Sequence, residues 1–225
     1  MDLVRCSSPE DVARVAAERV ARALARAAGS HISHLAHLAL AGGSTPMRCY
    51  ELLGPMLDDW SAIHLWYSDE RCVAPDDEDS NHRAASERLI APGAHWHRMV
   101  GELGPELGPA RYSAELDQKL LDVCMLGMGP DGHTASLFPE HRMLTAGGVA
   151  IGISDAPKPP PERITLTVDK INSSHAILLL VAGPDKADAL SRVLDEDVAD
   201  RAFPATLLDR SRLTVIADAE ALPGS

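Results

Sequence analysis

Aromatic side chains are scarce in this chain, only 4% of its 225 residues, so a packed interior has to be built from Ala, Val, Leu and Ile. Positive charge is scarce too. The net charge of −12 leaves no basic face to displace counterions, which excludes a general nucleic-acid binder. It does not exclude a small anion, because a few converging Arg and Lys side chains outweigh a distant acidic surface. The four cysteines, Cys6, Cys49, Cys72 and Cys124, form no CxxC pair. That spacing suits neither a zinc site nor, in a chain of this size, a disulfide framework. Long apolar runs are missing: the longest, Ala176–Gly183, is far too short to span a bilayer. Asp2 and Arg5 interrupt any signal-like apolar stretch at the start. A protein free of membrane and nucleic acid in a reducing cytoplasm is the expectation.

What is present is a 45% apolar composition, enough for a large core in a single domain spanning residues 1–225. Ser8-Pro9-Glu10-Asp11 opens a helix with a capping hydroxyl, a proline at the first turn and two acids at the positive end of the dipole. Short continuous apolar runs follow at 37–43, 63–69, 122–129, near 148–153, at 175–181 and at 213–217. Helical segments stand between most of them, at 44–56, 80–90, 111–120 and 185–194. Continuous rather than alternating apolar strands separated by helices predict an α/β fold, a mostly parallel sheet with helices on both faces. Ligands of such sheets sit beyond the carboxyl ends of the strands.

Those ends carry the chemistry-bearing residues. After the first run comes Gly42-Gly43-Ser44-Thr45-Pro46, either a phosphate cradle at a helix start, with Ser44 or Thr45 as cap, or an ordinary strand-to-helix turn. After the second comes Ser68-Asp69-Glu70-Arg71, either a carboxylate at the ligand edge or a solvated ion pair. After the third comes LGMGPDGHTASLFP (126–139). Gly127, Gly129, Pro130 and Gly132 bend the chain there and present Asp131 and His133. Histidine is the side chain best matched to proton abstraction near neutrality, and Asp131 is close enough to fix its tautomer. Arg163 follows the proline-rich stretch 156–163. Lys186 stands at a helix start, where it opposes the dipole and so wants a reason such as an anion. The HISHLAH stretch, with His31, His34 and His37, has poor geometry for a metal on a helix, and His95 and His97 are bland, so no metal site is expected.

Taken together, LALAGGSTP, YSDERCVAPDDEDSN, LGMGPDGHTASLFP, APKPPPERITLT and GPDKADAL resemble, in order, the motifs of the 6-phosphogluconolactonase family, over roughly residues 38–190. The resemblance implies a sandwich related to glucosamine-6-phosphate deaminases and ribose-5-phosphate isomerases. It implies hydrolysis of 6-phospho-D-glucono-1,5-lactone to 6-phosphogluconate with no cofactor or metal. It makes His133 the base that activates water, Asp131 its orienting partner, and Arg71, buttressed by Asp69, the group that orients substrate or stabilises an oxyanion. Gly42, Gly43, Ser44 and Thr45, with Arg163 and Lys186, would hold the phosphate. The partner is then a small phosphorylated sugar lactone, and the chain a monomer or small homo-oligomer.

Departures from the family pattern are Ala41, where Ser often stands, and apparently short surface loops near 101–112 and 139–153. Two alternatives remain: an amino-sugar-phosphate deaminase or isomerase on the same scaffold, and a non-catalytic sugar-phosphate sensor. Leu137-Phe138 stands where the deaminases carry an acid, and Phe138 cannot move a proton.

Overall fold

The computed structural model describes residues 1–29, 35–195 and 199–222. Ten strands run in chain order: β1 (Asp2–Cys6), β2 (Ala36–Leu40), β3 (Ile63–Tyr67), β4 (Asp69–Arg71), β5 (His95–Trp96), β6 (Val123–Gly127), β7 (Ala150–Ile153), β8 (Arg163–Leu166), β9 (Ala176–Val181) and β10 (Leu213–Asp218). The helices are α1 (Pro9–Gly29), α2 (Ser44–Leu53), α3 (Asn81–Arg88), α4 (Gly104–Leu116), α5 (Val168–Asn172) and α6 (Ala187–Leu194). Seven strands form one sheet in the order β1-β10-β9-β6-β2-β3-β5, and every pairing within it is parallel. Consecutive residues of β6 and β9 are buried, which requires cover on both faces of the sheet.

The order locates the site. From β2 the chain moves outward to β3 and β5, whereas β6 returns to the other flank of β2 and leads on to β9. The crevice between the carboxyl ends of β2 and β6 is therefore a topological switch point, where open α/β sheets bind ligands. The GGSTP turn leaves β2 there, and the GPDGH loop leaves β6. One apolar cluster runs from Cys6 to Leu222 and holds α1 and the central strands together.

Two sequence expectations need correction. The apolar run near 148–153 does not join the parallel sheet; as β7 it forms, with β4 and β8, a separate antiparallel sheet in the order β4-β8-β7. The helix expected at 111–120 begins at Gly104 and ends at Leu116, so most of the supposed loop at 101–112 is helical. Pro105 sits in the first turn, where its missing N–H costs nothing. Gly108 is a packing device, since a Cβ there would stand 2.4 Å from Ile164 Cδ1 on β8. Loop-like letters here mark close contact with the small sheet. The strand expected near 148–153 is present as β7, preceded by a 3-10 turn (Arg142–Thr145). β1 carried no sequence signal, being five residues long and only partly buried at the sheet edge.

Candidate active site

The switch-point crevice is a cavity of about 460 Å³. Its walls include Gly42, Gly43, Ser44, Thr45, Asp69, Arg71, His133, Arg163 and Lys186, so every residue expected at the site lies there except Asp131, which stands behind His133.

Backbone makes the first wall. Gly43 (φ 102°) sits outside the range open to L side chains and is itself the N-cap of α2. Ser44 and Thr45 are the first helical residues and do not cap it with their side chains, contrary to expectation. The amides of this turn accordingly face the cavity mouth with the helix dipole behind them. Tyr50, on the same helix, clamps the preceding residue: its hydroxyl accepts from Ala41 N (2.7 Å) and donates to Ala41 O (2.8 Å). Ala41 thus serves through its backbone, which explains why a serine is dispensable.

The small antiparallel sheet makes the cationic wall. Register sets Arg71 directly opposite Arg163, and Asp69 opposite Thr165. Two like charges facing each other across a strand pair repel, which an anion between them would relieve. Arg71 Nη1 donates to Asp79 O at 2.6 Å, while its buried Nε has no partner. Arg163, only 6% exposed, gives Nε to Pro160 O (2.8 Å) and Nη2 to Pro159 O (2.9 Å) and Lys158 O (3.2 Å). Burial pulls its guanidinium below its ordinary range, and Arg71 adds to the fall against the opposing pull of Asp69. Lys186 reaches in from the other side, its ammonium 2.7 Å from Asp185 Oδ2, and its side chain is only 20% exposed despite its length.

Asp69 is buried and fully used, accepting from Ser136 Oγ (2.7 Å) and Asn81 Nδ2 (3.3 Å). It buttresses the site. Neighbouring Glu70 turns the other way and accepts backbone N–H bonds from Arg71, Asn81 and His82, fixing the start of α3. Ser136 is committed to Asp69. Burial pushes the Cys124 thiol up to about 12, so neither side chain is an activated nucleophile.

His133 stands at the third wall. Its Nδ1 lies 2.5 Å from Asp131 Oδ1, so Nδ1 carries the proton and Nε2 keeps a lone pair for the cavity. Gly129 makes room for this pair, since a Cβ there would stand 2.0 Å from His133 Cε1. Phe138 packs against the ring with centroids 5.2 Å apart and is itself buried. Burial pulls the imidazole below its ordinary value, outweighing the hydrogen bond and charge of Asp131, and Lys158 lowers it further. Burial alone would raise Asp131, but His133 and Lys158 hold it below the usual carboxylate range. At neutral pH the pair is a neutral imidazole beside a carboxylate, the state of a base ready to accept a proton.

Sequence reasoning did not single out Asn81 or Lys158. Asn81 lines the cavity, and its amide is oriented by Asp69, with Nδ2 also donating to Asp69 O at 3.0 Å. The signal was Gly42, where a Cβ would come within 2.3 Å of Asn81 Oδ1. Of the histidines set aside earlier, His31 and His34 lie outside the described residues. His37 is on β2, where Nδ1 accepts from Trp66 Nε1 at 2.9 Å. Among the described residues no group of His, Cys, Asp and Glu is placed to hold a metal ion. No helix among them is long and apolar enough to cross a membrane.

A family model described as glucosamine-6-phosphate isomerases/6-phosphogluconolactonase matches residues 7–217. The chain belongs to this family. It is 33% identical over 188 residues to a 6-phosphogluconolactonase of Aggregatibacter actinomycetemcomitans, covering 78% of this chain and 81% of that one. It is 34% identical over 185 residues to that of Synechocystis, covering 76% of each. Among solved structures it resembles a 6-phosphogluconolactonase of Shewanella baltica at 29% identity and a TM-score of 0.84, over 97% of this chain and 98% of the other. A monomeric glucosamine-6-phosphate deaminase also superposes over 98% of both chains with a TM-score of 0.81, at 23% identity. The fold is therefore shared by both chemistries, and the choice between them rests on the site.

Proposed function

We propose that this chain hydrolyses 6-phospho-D-glucono-1,5-lactone to 6-phospho-D-gluconate, with His133 as general base. The observation that carries this reading is neutral His133, oriented by Asp131 behind it and lining one cavity with three cationic side chains and the amino end of α2. His133 Nε2 takes a proton from water as its oxygen attacks the C1 carbonyl. Charge develops on the carbonyl oxygen, and Arg71, with its unpartnered Nε, offsets it and orients the ring. The C1–O5 bond then breaks. The imidazolium returns its proton to O5, leaving a free hydroxyl and a carboxylic acid, which ionises to the carboxylate and releases its proton to solvent. The Ser44 and Thr45 amides, Arg163 and Lys186 hold the phosphate dianion, which suits both a planar guanidinium and a point-charge ammonium.

A six-membered lactone is already strained toward opening, so a base and an oriented charge suffice, each worth about 10²–10³-fold. No step needs a metal or a covalent intermediate. Against the deaminase reading, the position beside the histidine is filled by buried Phe138, which packs on the ring and carries no proton. Against the sensor reading, a phosphate grip needs no oriented base, yet His133 is held at 2.5 Å from Asp131. The test is acid release from fresh phosphogluconolactone in a pH-stat, with the spontaneous rate subtracted, beside ammonia release from glucosamine 6-phosphate. Turnover of the lactone alone is expected. Ammonia release without lactone hydrolysis would reverse the assignment.

A further inference from the structure

The proline-rich stretch Ala156–Arg163 holds one long charged side chain next to the catalytic pair without making it part of the cavity wall. Lys158 Nζ lies 3.4 Å from His133 Nδ1 and 3.7 Å from Asp131 Oδ1. Two donors thus converge on one carboxylate oxygen, the His133 N–H at 2.5 Å and the ammonium further out. The shorter contact decides the tautomer: Nδ1 keeps its proton, and the ammonium acts as a nearby charge.

Lys158 is held at both ends. Its carbonyl oxygen, with those of Pro159 and Pro160, is gripped by the buried Arg163 guanidinium, and Ala156 N donates to Pro161 O at 3.0 Å. A stiff loop anchored by a buried arginine delivers the ammonium to a fixed place, although the side chain itself is 45% exposed.

We propose that Lys158 is a positioning residue for the lactone hydrolysis: its ammonium, delivered by the Arg163-anchored proline loop, keeps the Asp131–His133 pair as carboxylate and neutral imidazole before water attacks. The proposal rests on the reading of His133 as the base. The charged groups with the largest effect on His133 are Asp131 on its own loop, Lys158 on the proline loop and Asp69 on β4; Arg71, Arg163 and Lys186 face it from the other walls of the cavity, and Lys158 is the cation within 3.4 Å of its Nδ1. A positive neighbour disfavours imidazolium in the resting protein. It also makes the imidazolium formed during attack a stronger acid, which aids proton return to the ring oxygen that leaves.

The test is the pair K158M and K158R, followed in two ways. The first is the pH profile of kcat/KM for the lactone; the second is NMR titration of the His133 Cε1 proton, assigned by its absence in H133A. In K158M both the acid limb and the titration midpoint should move up by about 0.5–1 pH unit, the size expected of a partly solvated charge at this range. About a three- to tenfold loss follows at pH values below the limb. K158R should restore both. An unmoved titration in K158M, whatever happens to the rate plateau, overturns the proposal. A moved titration with lactone hydrolysis that survives in H133A overturns instead the reading of His133 as base.

Discussion

At the carboxyl end of β6, His133 pairs with Asp131 and lines a cavity; toward the amino ends of β2 and β3, a second set of histidines, one of them paired with Glu115, lies outside that cavity. Register puts His37, His64 and His95 side by side across β2, β3 and β5. His64 Nδ1 is 2.7 Å from His97 Nε2, and His97 Nδ1 meets the Glu115 carboxylate. His97 stacks on Trp66 with centroids 3.9 Å apart. The second set is the richer in imidazoles, yet both nitrogens of His97 are spent on neighbours, and the Arg71, Arg163 and Lys186 side chains gather at the other site. A carboxylate–histidine pair is therefore not by itself a base. It becomes one where strand order opens a crevice, glycine clears the ring's place, and cations gather to receive an anion.

The largest effect should separate the two ends outright. H133A is expected to lose about 10³-fold or more in kcat for the lactone while still binding 6-phosphogluconate. H97A, which breaks the other carboxylate–histidine pair, should change kcat less than about threefold, because it touches nothing in the cavity. Next come the cations. R71M should lower kcat about 10²-fold, as loss of an oxyanion donor does. K186M should chiefly raise KM, about tenfold, as removal of a uniformly felt phosphate contact does. Steady-state kinetics at fixed ionic strength separates the two roles; equal effects on KM alone would move Arg71 to the phosphate.

The smallest effect belongs to the amino-end histidines and is one of stability. Burial, then the neighbouring His37, His97 and His95, pull His64 down to about 4. The unfolded chain takes up a proton near pH 6.5, whereas the folded chain resists it. The stability is thus complete above pH 6.5 and falls as pH drops toward 4. H64Q should flatten that loss by about 1 kcal/mol, a figure reduced for the solvent that reaches this site. Thermal melts at pH 7 and pH 5 measure it.

The inner strands of the parallel sheet were legible in the sequence because they are buried on both faces and so read as continuous apolar runs, as in β6 and β9, whereas the partly exposed edge strands β1 and β5 were not. The small antiparallel sheet was not. β4 is three residues of Asp, Glu and Arg, and nothing in such a string shows that Arg71 will face Arg163. α4 was half hidden because Gly108, which fits its contact with β8, and the helix's prolines are also the letters of a loop. At the site, residues carried by motifs at strand ends were visible: Asp131, His133, Arg71 and the GGST turn. Lys158 was not, because only the fold brings residue 158 beside residue 133. Nor was the sharing of Arg163 between cavity wall and loop anchor, which depends on carbonyls that any sequence possesses.

The central claim is that His133, neutral in the resting protein, takes the proton from water. It is tested most directly by measuring kcat/KM for the lactone against pH and setting the curve beside the NMR titration of His133 in the free enzyme. Burial outweighs Asp131 in setting this imidazole, so activity should be flat through neutrality and fall along an acid limb centred below pH 6.5, coincident with the His133 midpoint. A limb that departs from that midpoint, or a rate indifferent to the protonation of His133, would contradict it.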